Sequence, residues 1–437
     1  MFVYLAAVVG IGAAFAGKQK TTVDFFLAGR KMPWLAVGMS IFASITSAIT
    51  YMGVPGLVYA ENISFYVGML MMPVAAPFII FLFLPFYQRL EVTTSYEYIL
   101  RRFGRSARYA VSGLFLLTRL GWLGTVIYAP ALALSVVTGM NVWTTILLMG
   151  ALGTLYTALG GLAAVIWTDV VQFFVLVGGA VWVAATLILR TPGGVSSIYE
   201  ISLETGHLNL LDWRPSLTEM TVSVVAISYF IQFMQDYGVD QVTVQRLVAT
   251  KSLREMRRAT VINALFTVVI TGILGFIGLG LFAYNHYLPG LIPESLGRDE
   301  IFPYYVVHAL PAGASGLVIT GVFAAAMSSV DSGINSLSTV VVNDFVRPLR
   351  GSRAVDDAHD VWLARILTVV FGAFATGVAF FASTIGDIIK TSQGFIGLFS
   401  GPVLALFLLG ILTRWATFSG WLIGTAVALP ATMAIQT

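Results

Sequence analysis

The 437-residue chain has no cysteine, only four histidines, and a charged-residue content of 10%. Without cysteine there is no disulfide framework, no thiolate metal site and no thiol nucleophile. His207, His286, His308 and His359 are far apart and show no metal-ligand spacing. No Gly-rich phosphate loop, acidic tail or low-complexity linker occurs, and Gly160-Gly161 reads as a tight turn between two apolar stretches. No Ser/His/Asp set sits at a common depth, so the chain is not expected to be an enzyme. What is abundant is apolar surface. Hydrophobic residues make up 58% of the chain and the mean hydropathy is +0.88. This composition belongs in a lipid bilayer.

Stretches long enough to span recur about a dozen times, over 2–17, 33–60, 64–87, 109–138, 141–159, 162–190, 218–236, 255–285, 313–345, 360–382, 390–412 and 415–436. The first lacks a polar n-region and a small-residue cleavage site, so it reads as a helix, not a signal peptide. Assigning 18–32, 88–108, 237–258, 346–365 and Arg414 to the cytoplasm places 19 of the 24 Lys and Arg residues there. Arg190, Arg214, Arg298 and Lys390 fall on the other side, and Arg119 lies inside a span. The pattern follows the positive-inside rule. It also explains the basic pI of about 9 without nucleic acid. The loops 191–217 and 286–312 are too short to be domains, so one transmembrane domain in the cell membrane is expected.

The span 313–345 carries Ala325-Ala326-Met327-Ser328-Ser329-Val330-Asp331-Ser332 near its centre. A carboxylate at that depth costs about 2.5–3.5 kcal/mol on insertion scales and marks an ion, a partner or a water-filled path. Residues i, i+3 and i+4 share a helix face, so the Ala325 carbonyl and the Ser328 and Ser329 hydroxyls point the same way. Three aligned neutral oxygens suit a weakly charged hard cation such as Na⁺. The plainer alternative is that these serines bond back to carbonyls of their own helix.

Two spans look interrupted. Ala43-Ser44-Ile45-Thr46-Ser47-Ala48-Ile49-Thr50 is rich in β-branched and hydroxyl residues, and Gly53, Pro55 and Gly56 follow. The span 218–236 runs into Gln232, Gln235, Asp236 and Gly238. Counted from residue 33, these are the first and sixth spans. Broken helices at corresponding places in two halves point to a midplane site in a transporter with inverted repeats.

Gly160-Gly161-Leu162-Ala163-Ala164-Val165-Ile166-Trp167-Thr168-Asp169-Val170-Val171-Gln172 resembles the signature of the sodium:solute symporter family. So do Tyr96-Glu97-Tyr98 with Arg101-Arg102-Phe103, Gln241 through Arg246, and Ala325 through Ser336, in order from about residue 20 to 412. Gly53-Val54-Pro55-Gly56 with Tyr128 through Leu134 looks most like the branch carrying monocarboxylates, vitamins and iodide, and bacterial sialic-acid carriers share part of that pattern.

The resemblance implies an all-α LeuT-type core of five plus five inverted helices. The first repeat would cover 33–190 and the second 218–412, with flanking helices in 1–32 and 413–437. It implies sodium ligands from the carbonyls of Ala43, Thr46 and Ala325 and the hydroxyls of Ser328 and Ser329. Asp169 matches an aspartate that helps bind a second sodium in some members and affects coupling or protonation in others. Asp331 is a second candidate for that cation or proton. Substrate-facing positions carry over to Ile45, Ser47, Thr50, Met69, Trp122, Phe233 and Gln393. Trp122 stands where sialic-acid carriers place a carboxylate-binding arginine. Arg119, one turn earlier, either serves instead or forms an ion pair with Asp331 or Asp169.

The expected function is sodium-driven import of a small organic solute, a monocarboxylate-like acid in preference to sialic acid, a proline-like amino acid or a sugar. Its partners are the solute, sodium and lipid, with no obligate protein. A rival of another class is a symporter-like sensor domain of a signalling protein, which the gene sequence beyond residue 436 would reveal.

Overall fold

The computed structural model describes residues 2–214, 221–350, 356–382 and 388–436, apart from the side chains of 2, 129, 133, 136–138, 299, 312, 382, 388–399 and 432–436. Helices dominate it. In chain order they are α1 (Phe2–Phe15), α2 (Thr22–Leu27), α3 (Trp34–Ile45), α4 (Ala48–Ala60), α5 (Tyr66–Leu90) and α6 (Tyr96–Phe103). Next come α7 (Arg105–Thr138), α8 (Val142–Arg190), α9 (Gly194–Glu204), α10 (Val222–Gly238), α11 (Gln241–Val248) and α12 (Leu253–Tyr287). The last are α13 (Ile301–His308), α14 (Ala312–Val340), α15 (Asp357–Ala382), α16 (Ile388–Leu412) and α17 (Phe418–Gln436). A π-helical turn over Val341–Val346 carries α14 on into Arg347–Arg350.

The described parts of the apolar stretches lie on helices, with 33–60 divided between α3 and α4. Among the described residues, six helices are individually long and apolar enough to cross a bilayer, or seven when α3 and α4, bent by 65°, count as one. Two of the expected spans merge in α8. Its 49 residues would reach about 74 Å if straight, against a hydrocarbon core of about 30 Å. Gly161 breaks it, at φ 58° and ψ −159°. A Cβ there would lie 2.7 Å from the Phe25 carbonyl oxygen, so both the backbone conformation and the close approach call for glycine.

The core sits where α8 crosses α14, with α1, α3, α7, α12 and α15 around the pair. The Ala325–Ser338 stretch of α14 is buried throughout. Its small side chains let neighbouring backbones come close, the packing that drives helix association in lipid.

Candidate functional site

Helix α3 ends because Thr46 leaves the helical region (φ −78°, ψ 89°) and Ser47 is extended (φ −73°, ψ 166°). The Ser47 hydroxyl then caps α4 by accepting from the Thr50 N–H at 3.4 Å. The last carbonyls of a helix have no partner one turn on. Here the Thr46 N–H takes the Phe42 oxygen at 2.9 Å, and the Ser329 hydroxyl donates to the Ser44 oxygen at 3.0 Å. That second bond holds the end of α3 against the Ala325–Ser329 turn of α14. Ala43, Thr46, Ala325, Ser328 and Ser329 are all buried at this crossing.

Beside it lies a polar network with no exposed member. Asp169 of α8 accepts from Ser40 at 2.5 Å, from Ser328 at 2.6 Å and from the Arg246 guanidinium at 3.2 Å. Arg246 also donates through Nε to the Ser40 hydroxyl at 2.8 Å, through Nη1 to the Val242 carbonyl at 2.9 Å, and to the Ser332 hydroxyl. The Ser44 and Ser332 hydroxyls meet at 2.9 Å. Asp331 accepts from the Tyr156 phenol at 2.5 Å and from Ser332 at 3.2 Å. The cluster thus holds two carboxylates and one guanidinium.

Residues 237–258 are not an open loop: they include α11, which is buried along its length, and Arg246 is 1% exposed. The helix is polar because its side chains have partners inside the protein. Gln241 accepts from the Ser95 N–H at 2.9 Å. Gln245 donates toward the Phe26 carbonyl at 2.7 Å, and Asn335 and Thr339 at 2.9 Å each. Sequence reasoning also missed Ser40, Ser44, Tyr156 and Ser332 as members of the site. The i, i+4 pairs Ser40/Ser44 and Ser328/Ser332 were the available signal.

The break after α10 falls at Val239–Asp240. Asp240 restarts the chain as α11 by accepting from the Val242 N–H at 2.9 Å. Asp240 is also the partner of Arg119, at 2.6 Å, so neither Asp331 nor Asp169 holds that arginine. The Arg119 guanidinium sits 4.8 Å from the Trp122 ring centre. Phe233 is buried between Tyr229 and Tyr237, at ring separations of 6.0 and 6.2 Å. Ile45 and Thr50 flank the α3–α4 break and are part-exposed, Ser47 is buried within it, and Met69 packs on the core from α5. The Gln393 side chain lies outside the described residues. A separate apolar recess with about 390 Å³ of open space, between α4, α7, α13 and α14, includes none of these residues in its walls.

Residues 25–428 match the sodium:solute symporter family. The chain belongs to that family. The sodium/sialic acid symporter SiaT of Proteus mirabilis is 32% identical over 100% of this chain and 88% of its own. The human sodium-coupled monocarboxylate transporter 1 is 33% identical over 96% of this chain and 69% of its own. A solved Na⁺-coupled sialic acid symporter, in a substrate-bound outward-open state with a novel Na⁺ site, superposes with a TM-score of 0.93 at 31% identity. That match covers 100% of this chain and 90% of the other. The protein is therefore a multi-pass membrane symporter with a LeuT-type fold, and sodium is its coupling ion.

Proposed function

We propose that this symporter imports a small organic carboxylate across the cell membrane, with one sodium ion held where α3 breaks against α14. The observation that carries this reading is the bond from the Ser329 hydroxyl to the Ser44 carbonyl across the break. In this reading the carbonyls of Ala43, Thr46 and Ala325 and the hydroxyls of Ser328 and Ser329 are the ion's ligands. Such neutral oxygens suit a hard monovalent cation. The Ser328 proton points to Asp169, which leaves the oxygen lone pairs for an ion.

The second part of the reading concerns charge. Arg246 neutralises one of the carboxylates of Asp169 and Asp331, and an uncompensated buried charge is expensive. A second cation or a proton at Asp331 and Asp169 balances the site. Sodium bridging α3 and α14 favours the conformation that also binds solute, and such differential affinity is what couples the two. The protein acts as a carrier and performs no covalent chemistry on its cargo.

A carboxylate is supported by the relatives, whose named substrates are sialic acid and monocarboxylates. Between those two, Ile45, Met69, Trp122 and Phe233 favour an acid with an apolar body, because each unpaired hydroxyl of a sugar-like ligand costs about 1–3 kcal/mol. The test is thermal stabilisation of purified protein in sodium by short monocarboxylates, sialic acid, amino acids and hexoses. Sodium-dependent stabilisation by a monocarboxylate is expected. Stabilisation by a hexose and by no carboxylate overturns the assignment.

A further inference from the structure

The arginine-rich ends of α6, α7 and α14 enclose a recess far from the ion site. It has about 590 Å³ of open space and is lined by Leu100, Arg105, Arg108, Tyr109 and Pro348. Arg108 is 5% exposed. Its Nη2 is committed to the Asp344 carboxylate at 2.5 Å and the Asn343 carbonyl at 2.8 Å. Its Nε, a buried donor, has no acceptor. Thr94 and Ser112 also donate to Asp344, each at 2.8 Å.

The adjoining groups are positive as well. Arg105 is exposed and has no ion-pair partner among the described residues. It opens the 34-residue helix α7, whose first turn receives no side-chain cap from Gly104. The first N–H groups of a helix lack partners and carry the positive end of its dipole. Arg108 and Asp344 cancel, so Arg105, the orphan Nε and the helix end leave a net positive recess. One wall is rigid, because Tyr109 stacks on Phe345 at 5.5 Å.

We propose that this recess binds a phosphate oxyanion, supplied either by a phospholipid headgroup or by soluble phosphate. Arg105 and the Arg108 Nε would share its oxygens, and Leu100, Tyr109 and Pro348 would flank it. Bound there, the anion braces the start of α7 against the end of α14, the two helices that Arg108 and Asp344 already join.

The experiment uses the full chain in neutral detergent. Native mass spectrometry measures retention of phosphatidylglycerol against phosphatidylcholine, and a parallel thermal-shift titration uses inorganic phosphate. The variants are Arg105→Glu, which touches no internal partner, and Arg108→Lys, which keeps a positive charge opposite Asp344 but removes Nε. Each is expected to weaken binding about tenfold, the value of one charge-assisted hydrogen bond. Selective phosphatidylglycerol retention lost in both variants, with phosphate inert, assigns the headgroup. Stabilisation by phosphate, lost in both variants, assigns the soluble anion. Equal retention of both lipids with no phosphate response, or binding unchanged in Arg105→Glu, overturns the proposal.

Discussion

Arg246 and Asp169 meet 3.2 Å apart with side chains 1% and 0% exposed, joining α11 to α8 beside the α3 break. A buried pair of this kind contributes little net stability, yet removing one partner strands the other charge, at roughly 3–5 kcal/mol. Asp169→Asn is therefore expected to lower the thermal stability of the protein and to alter the sodium dependence of uptake. Thermal denaturation and sodium-titrated uptake in vesicles separate the two effects. Unchanged coupling in a stable Asp169→Asn protein would reduce the aspartate to a structural role.

Replacing Ser328 and Ser329 together by alanine removes two hydroxyl oxygens and leaves the α14 backbone intact. Each lost oxygen is worth about 1–2 kcal/mol on the hydrogen-bond scale, so apparent sodium affinity should fall at least about tenfold. Sodium-titrated thermal shift reads this directly. Normal sodium dependence in the double variant would mean that the ion sits elsewhere.

Arg119 and Asp240 tie α7 to the break between α10 and α11. If that latch is what Arg119 does, Asp240→Asn and Arg119→Gln should change transport rate alike, with solute affinity nearly preserved. A solute affinity lost in Arg119→Gln but kept in Asp240→Asn would instead assign the arginine to the solute carboxylate.

His207 stacks on Phe282 at 3.7 Å and reaches the Tyr59 carbonyl at 3.2 Å, docking the loop after α9 onto α4 and α12. Burial holds its imidazole below the usual 6.5. Above that pH the ring is neutral whether the loop is docked or free. Below it, the free loop binds the proton more readily, so docking weakens as pH falls from 6.5 toward the lowered value. Hydrogen-exchange protection across 205–209, measured against the intrinsic rate at each pH, should fall between neutral and mildly acidic pH, and His207→Phe should flatten that response.

Hydropathy and charge sufficed to place the apolar segments, because burial in lipid acts on each stretch of chain separately. The break at Thr46–Ser47 was legible too, since hydroxyl and β-branched residues disfavour a helix locally. The family motifs carried the link to sodium. None of this located Arg246. A segment as polar as 237–258 looks like a solvated loop until its partners are known, and Asp169, Ser40 and Ser332 come from three other helices. Arg119 had two plausible carboxylates by depth, and the fold supplied a third, Asp240. Local preferences along the chain determined where helices form and where they break. Which buried charge meets which depended on how the helices cross, because in a low-dielectric interior a polar group is stable only beside the partner that packing brings to it.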